Sequence, residues 1–149
     1  MKEDFLNLAI EYAKLAYKEN EVPVGAVIVK NNEIIGYGYN QKEKKQSVLE
    51  HAELIAIRMA EQQIKNWRLN DCDLYVSLDP CPMCASAIKQ ARIKNVYSAI
   101  NNSDKNNLKI IEEIFKQNDI NAKVNFISNL KTSKMQEILK SFFKKQRNS

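Results

Sequence analysis

The chain has 149 residues and a formal net charge of +5, from 23 basic and 18 acidic side chains. A chain of this length buries about 70% of the surface that its unfolded form exposes, so we expect one domain, residues 1–149. The longest run without polar or charged side chains, 22–29, is far shorter than the roughly 20 residues of a membrane helix. Acidic residues near the N-terminus do not fit a signal or transit peptide, so we expect a soluble, cytoplasmic protein. The moderate positive charge permits a polyanionic partner such as RNA but does not require one.

The first half of the chain predicts a helix, a hairpin and a second helix. Apolar residues at helical spacing indicate the helices, and Asn31-Asn32 between two short apolar runs indicates a hairpin turn. The expected elements are a helix at 2–20, strands at 24–30 and 33–40, a polar loop at 41–46 and a helix from about 48 to 64.

The second half predicts strands that alternate with helices. Pro80 ends a buried strand, and Pro82 suits the first turn of the helix that follows. The expected elements are strands at 73–79, 95–100 and 123–127, helices at 82–93, 108–116 and 133–146, and a loop at 101–107. Helix, hairpin and alternating elements together predict an α/β protein with a central mixed five-stranded sheet in three α/β/α layers.

Three side chains suggest a metal site: Cys81, Cys84 and His51, the only histidine. An odd number of cysteines argues against a disulfide framework and favours a metal or redox role for the Cys-x-x-Cys pair. Both thiols lie in the first turn of a predicted helix, where the helix dipole and unpaired N–H groups stabilise thiolates. His51 begins another helix, and two helix N-termini at one sheet edge can bring the three donors together. This donor set favours Zn²⁺, one ion per chain.

The predicted site has only three protein ligands. Cys72 is separated from Cys81 by a strand, about 20 Å away, and is predicted to be a buried apolar residue. An open fourth position is typical of catalytic zinc, where a bound water molecule can be activated to hydroxide near neutral pH. Glu53, two residues after His51, is the candidate general acid/base group. Taken alone, Glu53 could be an ordinary acidic residue in a first helical turn, and the metal ligands could form a structural site.

The chain resembles the zinc-dependent nucleobase deaminases. His-Ala-Glu at 51–53 and Pro-Cys-Pro-Met-Cys at 80–84 match their H-x-E…P-C-x-x-C signature. More of the chain resembles one branch, the bacterial tRNA-specific adenosine deaminases. The similar stretches are EVPVGAVIV (21–29), NNEIIGYGYN (31–40), HAELIAIR (51–58), LNDCDLYVSLDPCPMCASAI (69–88), ARI (91–93) and, more loosely, SFFKKQR (141–147). The resemblance implies a cytidine-deaminase-like fold, a homodimer, and conversion of the wobble adenosine of a tRNA anticodon loop to inosine.

The resemblance also implies roles for individual residues. It assigns the zinc to His51, Cys81 and Cys84, and proton transfer to Glu53. The implied substrate contacts are the side chain of Asn40, the backbone N–H of Ala52, and a pocket wall formed by Val22, Pro23 and Val24. Without the resemblance, Asn40 is a turn residue that ends a strand, and the three wall residues are a strand entry.

The C-terminal segment mixes aromatic and basic side chains, which can stack on unpaired bases and pair with phosphates. The basic residues of the terminal helix are Lys134, Lys140, Lys144, Lys145 and Arg147. The candidate contacts to a tRNA anticodon stem-loop are Phe142, Phe143, Lys144, Lys145 and Arg147. The alternative is that a phenylalanine packs into the core while the lysines form a solvated helix face. We expect a mixed outcome for the two phenylalanines.

Two segments depart from the family pattern, and they leave other functions open. Residues 47–50 read Ser-Val-Leu-Glu where the family usually has Asp-Pro-Thr-Ala, and residues 100–109 lack the usual Lys-Thr-Gly-Ala run. Both border the expected substrate entrance. One alternative is a deaminase of a free base or nucleoside, of the guanine or cytosine type. A non-catalytic zinc-binding subunit of a tRNA-editing complex is disfavoured by Glu53, and a structural zinc domain by the missing fourth ligand.

Overall fold

Helices and strands alternate along the chain in the computed structural model, which describes residues 2–102, 104–117 and 123–147. The helices are α1 (Lys2–Lys18), α2 (Lys42–Lys45), α3 (Ala52–Ile64), α4 (Pro82–Gln90), α5 (Lys105–Lys116) and α6 (Thr132–Arg147). The strands are β1 (Gly25–Lys30), β2 (Glu33–Tyr39), β3 (Cys72–Val76), β4 (Asn95–Ser98) and β5 (Asn125–Ile127). Among the described residues, no helix combines the length and apolar character that crossing a lipid bilayer requires.

The strands form one mixed sheet in the order β2-β1-β3-β4-β5. β1 is antiparallel to both β2 and β3, whereas β3, β4 and β5 are parallel. The β1–β2 turn has positive φ at Asn31 (52°) and Asn32 (63°), as a two-residue turn of the primed type requires. The predicted hairpin and the predicted five-stranded mixed sheet are both confirmed.

Helices cover both faces of the sheet, because alternate strand residues point to opposite sides. On one face, Ile28 and Leu74 pack with the buried residues of α3, α4 and α5. On the other face, Val27 and Tyr75 pack with α1 and with Met135 of α6. The chain therefore has the predicted three-layer α/β/α architecture.

α3 lies very close to β2 because a strand glycine leaves room for it. A Cβ atom added at Gly38 would lie 2.8 Å from the carbonyl oxygen of Ala52 and 2.8 Å from Cβ of Ile55, too near for any side chain. This contact fixes the first turn of α3, which carries Glu53, against the hairpin.

Two expectations for the segment between β2 and α3 are wrong. The predicted loop at 41–46 contains the short helix α2, where the Glu21 carboxylate accepts the N–H groups of Glu43 and Lys44 at 3.0 and 2.8 Å. The next helix begins at Ala52 rather than near residue 48, because residues 47–50 form a turn in which the N–H of Glu50 donates to Ser47.

Other boundaries differ by a few residues. β3 covers 72–76 instead of 73–79, because residues 77–79 leave the strand ladder and the N–H of Asp79 donates to the carbonyl of Ile100. α5 begins at Lys105 rather than 108, since Asp104 caps it by accepting from the N–H of Asn106. Residue 103 of the predicted loop at 101–107 lies outside the described residues.

Candidate metal centre and catalytic cleft

Two neighbouring helix N-termini bring His51, Cys81 and Cys84 together. His51 is the N-cap residue of α3 and Cys81 is the N-cap residue of α4, each with extended backbone. Cys84 lies one turn into α4 and is fully buried. His51 Nδ1 lies 3.5 Å from Cys84 Sγ and 3.8 Å from Cys81 Sγ. The expected convergence of one imidazole and two thiols is present.

The geometry of this group fits zinc. The three ligand atoms lie within 4.8 Å of one another. In a tetrahedral zinc site, Zn–S and Zn–N bond lengths place sulfur and nitrogen about 3.6 Å apart, close to both nitrogen–sulfur distances. Cys72 is buried as the first residue of β3 and lies outside the group, as predicted. His51, Cys81 and Cys84 are thus positioned to bind a metal ion, with one coordination position left for a non-protein ligand.

The thiols of the group differ in pKa because one donates a hydrogen bond to the other. The hydrogen bond from Cys84 lowers the pKa of Cys81 to about 4, and the same contact raises the pKa of Cys84. The hydrogen bond with Cys81 also raises the pKa of His51. Cys81 is therefore readily available as a thiolate, the form that binds a metal ion.

Glu53 is a buried acid directly beside the metal-binding group. It lies in the first turn of α3 with only 3% of its surface exposed, and it is close enough to Cys84 for a hydrogen bond. Burial raises the pKa of Glu53 to about 7. A buried carboxyl group beside metal donors in a cleft is the usual setting of a catalytic acid/base group.

The group opens into a cleft of about 530 Å³, within the range of small-molecule sites. His51, Glu53 and Cys81 line it from the α3 and α4 N-termini, and Asn102 lines it from the segment after β4. Residues of α6 complete the wall. The catalytic candidates and the C-terminal helix therefore face the same space.

Asn40 lines the cleft and is oriented by Ala52. The side-chain oxygen Oδ1 of Asn40 accepts the backbone N–H of Ala52 at 2.8 Å. We expected that N–H to face the substrate, but its hydrogen bond in the structure is to Asn40. This hydrogen bond orients the Asn40 amide and leaves its nitrogen as the group that can donate to a ligand.

The predicted wall of Val22, Pro23 and Val24 is only partly found. Val22, 39% exposed, and the buried Val24 line the cleft. Pro23 is buried and is not among the lining residues.

The C-terminal candidates divide between two sides of α6. Phe142 is 4% exposed and Phe143 is 50% exposed, and both line the cleft, so the expected mixture is confirmed. Lys144 and Arg147 line a second groove next to the cleft. Lys145 instead lies with Nζ 5.6 Å from the centroid of the Tyr17 ring. The three basic residues therefore do not share one surface.

Two buried lining residues were missed by the sequence reasoning. Glu21 and Asp79 line the cleft. Lys140, Lys144 and Arg147 of the terminal helix line the second groove together, and their spacing of four and then three positions was a signal that could have grouped them. Asn102 also lines the cleft, and it belongs to the segment 100–109 that the family resemblance places at the substrate entrance.

Comparison with known proteins shows similarity to deaminases, both for the family model and for the full-length relatives. Residues 1–100 match the family of the cytidine and deoxycytidylate deaminase zinc-binding region. The chain is 36% identical over 148 residues to the tRNA-specific adenosine deaminase of Aquifex aeolicus, covering 99% of this chain and 97% of that protein.

Two solved structures resemble the chain in both fold and sequence. One comes from a study of A-to-I editing by tRNA:A34 deaminases at the wobble position of transfer RNA; it has a TM-score of 0.84 and 35% identity, covering 92% of this chain and 99% of that chain. The other is guanine deaminase from Bacillus subtilis, with a TM-score of 0.67 and 33% identity, covering 99% and 94%. The chain belongs to the cytidine and deoxycytidylate deaminase family that carries this zinc-binding region.

Proposed function

We propose that this protein is a zinc-dependent deaminase that converts the wobble adenosine of a tRNA anticodon loop to inosine. The observation that carries the proposal is that buried Glu53 and the His51, Cys81 and Cys84 donors share one cleft. Near full-length similarity to a tRNA-specific adenosine deaminase supports adenosine in tRNA as the substrate.

In this proposal His51, Cys81 and Cys84 hold one zinc ion. When bound, zinc would act as a Lewis acid that lowers the pKa of water, so that hydroxide able to attack a purine ring carbon forms near neutral pH. Because the three protein donors leave a coordination position, the cleft keeps room for water and substrate together.

Glu53 moves the protons in this reaction. Its carboxylate accepts one proton from the attacking water and delivers it to ring nitrogen N1 of adenine; it then takes the second proton from the oxygen newly bonded to the ring carbon and gives it to the amine, which leaves as ammonia. The overall change is adenosine plus water to inosine plus ammonia. Glu53 follows His51 by two positions, so their side chains point in different directions from α3, and Glu53 reaches the reacting atoms without replacing a ligand.

Asn40 and the cleft walls position the flipped nucleotide. The Asn40 amide nitrogen donates a hydrogen bond to the base or its ribose, while the Ala52 N–H holds the amide in that orientation. Val22, Val24 and Phe143 close the sides of the cleft against water. Pro23 supports the wall as a buried neighbour.

The assembly we propose is a homodimer of single-domain chains, acting on tRNA in the cytoplasm. Support comes from exposed apolar side chains near the N-termini of α3 and α4. Val48 is 63% exposed, Leu49 is 53% exposed and Met83 is 36% exposed. A second copy that covers these side chains would remove apolar surface from water beside the helix N-termini that carry the metal donors.

A free-base deaminase is the second candidate, and one observation favours it. The Bacillus subtilis guanine deaminase is about as similar in sequence, at 33% identity, as the tRNA deaminase structure at 35%. A guanine base would also fit a cleft of about 530 Å³. The RNA substrate is better supported, because the fold agrees more closely with the tRNA deaminase structure.

The deciding experiment compares substrates side by side. The zinc-loaded protein is incubated with an anticodon stem-loop that carries adenosine at the wobble position, and separately with adenosine, cytidine, cytosine and guanine. Inosine in the stem-loop, without turnover of the free compounds, is the expected result. Turnover of guanine with an unchanged stem-loop would establish the second candidate instead.

A further inference from the structure

The buried side chain of Glu21 ties α2 to the end of α1. Glu21 is 2% exposed, and its two carboxylate oxygens accept the backbone N–H groups of Glu43 at 3.0 Å and Lys44 at 2.8 Å. Its own N–H donates to the carbonyl of Ala16, in the last turn of α1, at 2.9 Å. Hydrogen bonds to a carboxylate are about twice as strong as those between neutral groups. Glu21 therefore joins α2 firmly to a segment 22 positions earlier in the chain.

The position of α2 depends on these two hydrogen bonds. The helix has only four residues, all of them described and none of them buried, and a helix of that length is unstable by itself in water. Its N-cap residue, Gln41, makes no side-chain capping hydrogen bond. An ion pair between Lys44 Nζ and Glu19 Oε1, 3.1 Å apart, is largely exposed and contributes little. Because α2 buries no side chain, we attribute its position mainly to the Glu21 carboxylate.

α2 forms part of the rim of the catalytic cleft. It begins two residues after Asn40, and Lys42 and Glu43 of α2 line the cleft. Among the described residues that line the cleft, Lys42 is the one lysine or arginine. Its ammonium group is therefore suited to pair with a substrate phosphate at the rim.

The ends of the segment that carries α2 are fixed separately from its middle. The N–H of Gln41 donates to the carbonyl of Glu50 at 3.0 Å, which closes the segment 41–50 into a loop between β2 and α3. Loss of the Glu21 contacts would thus move Lys42 and leave the metal-binding group in place.

We propose that Glu21 is a positioning residue of the deamination reaction: it holds α2 so that the Lys42 ammonium group pairs with a phosphate of the target nucleotide. The inference rests on the proposed function, because a nucleotide within RNA carries such a phosphate and a free base carries none. Glu21 acts through α2 and not on the substrate, since its two carboxylate oxygens already accept the N–H groups of α2.

The test combines Glu21→Gln with Lys42→Ala. Glutamine has nearly the shape of glutamate, but its amide nitrogen is a donor and cannot accept the second N–H group. The two single variants and the double variant are compared with Glu19→Gln, which removes the exposed ion pair to Lys44 and leaves the hydrogen bonds of Glu21. Zinc content, hydrogen exchange of the α2 amides and kinetics on the anticodon stem-loop are measured for each variant.

Lys42→Ala should raise KM for the stem-loop about tenfold, as the loss of one charge-assisted contact predicts, with slow amide exchange retained. Glu21→Gln should raise KM by up to the same factor and should also speed the exchange of the Glu43 and Lys44 amides. Zinc content and kcat should stay unchanged in both. The double variant should match Lys42→Ala, because the two residues act through one contact. The Glu19 variant should behave like the unmodified protein.

Three results would overturn the proposal. Unchanged amide exchange in the Glu21 variant would mean that other contacts hold α2. Faster exchange with an unchanged KM would mean that the position of α2 does not affect substrate binding. Losses that multiply in the double variant would mean that Glu21 and Lys42 act separately.

Failure of the proposed function is seen in a different measurement. An unmodified protein that deaminates guanine but not the stem-loop would defeat that function and, with it, the role of Lys42. Amide exchange in the Glu21 variant shows separately whether Glu21 holds α2, because it requires no substrate.

Discussion

The metal-binding group and the α6 wall face one cleft but are built in opposite ways. The metal-binding group comes from buried or half-buried side chains at two helix N-termini. Gly38 of β2 lets the backbone of α3 pack directly against the strand, which fixes the position of the first turn of α3. The α6 wall consists largely of exposed side chains, with Met135 and Phe142 as its buried anchors. We infer that the first region sets the chemistry and that the second sets which substrate reaches it.

This difference predicts which substitutions lower the turnover of every substrate and which act only on KM for RNA. Changes in the metal-binding group should lower turnover of every substrate, because the reacting atoms are the same in each. Changes on α6 should act on KM for RNA and leave the zinc and the proton transfer in place. Three experiments test that division, in order of falling effect.

The largest effect is expected from Cys84→Ala. Removing one of three donors should release the zinc and abolish deamination, because the two remaining donors cannot hold the ion tightly. Metal analysis and deamination assays measure both losses. Cys72→Ala is the control, since this cysteine is equally buried but outside the group. One zinc per chain retained in the Cys84 variant would contradict the proposed ligand set.

Glu53→Gln should separate catalysis from metal binding. The amide keeps the shape of the side chain but cannot accept and return protons, so turnover should fall about 10²–10⁴-fold with zinc and fold unchanged. Metal content, circular dichroism and single-turnover rates on the stem-loop provide the measurement. Glu61→Gln, on the same helix but not among the residues lining the cleft, should behave like the unmodified protein. Near-normal rates for the Glu53 variant would remove this residue from the reaction.

The metal-binding group could be predicted because its positions follow from local rules. Helix starts could be recognised near His51 and at Cys81 from short stretches of sequence, and the length of β3 excludes Cys72. The same rules misplaced the start of α3, because the turn at 47–50 is held by a local hydrogen bond that apolar spacing does not reveal.

The α6 wall could not be predicted in the same way. Helical spacing places Lys144 and Lys145 on different sides of α6, but it does not say which side faces the cleft. That choice depends on tertiary contacts: Met135 and Phe142 are the buried residues of α6, and the Tyr17 hydroxyl hydrogen-bonds with Ser141 across 124 positions of sequence. Likewise, the joining of cleft and groove at Asn102 is a product of tertiary packing.

Tyr17 is therefore a residue whose substitution should alter the α6 wall without altering the metal-binding group. Its hydroxyl lies 2.7 Å from Ser141 Oγ, and its ring meets the Phe142 ring edge-on with centroids 6.0 Å apart. The Lys145 ammonium lies over the same ring. These contacts hold the last turns of α6, which carry Phe143 to the cleft.

Tyr17→Ala should have the smallest effect of the three and should act on RNA alone. Loss of one aromatic pair and one hydrogen bond costs α6 about 1–2 kcal/mol of docking, which corresponds to roughly tenfold in KM for the stem-loop. Tyr17→Phe keeps the ring contacts and should stay within about threefold. Zinc content and kcat should be unchanged in both variants, because the metal donors and Glu53 are held by the N-terminal turns of α3 and α4 and not by α1. A fall in kcat without a change in KM would show that the α6 wall takes part in the chemical step, and the division between the two regions would then fail.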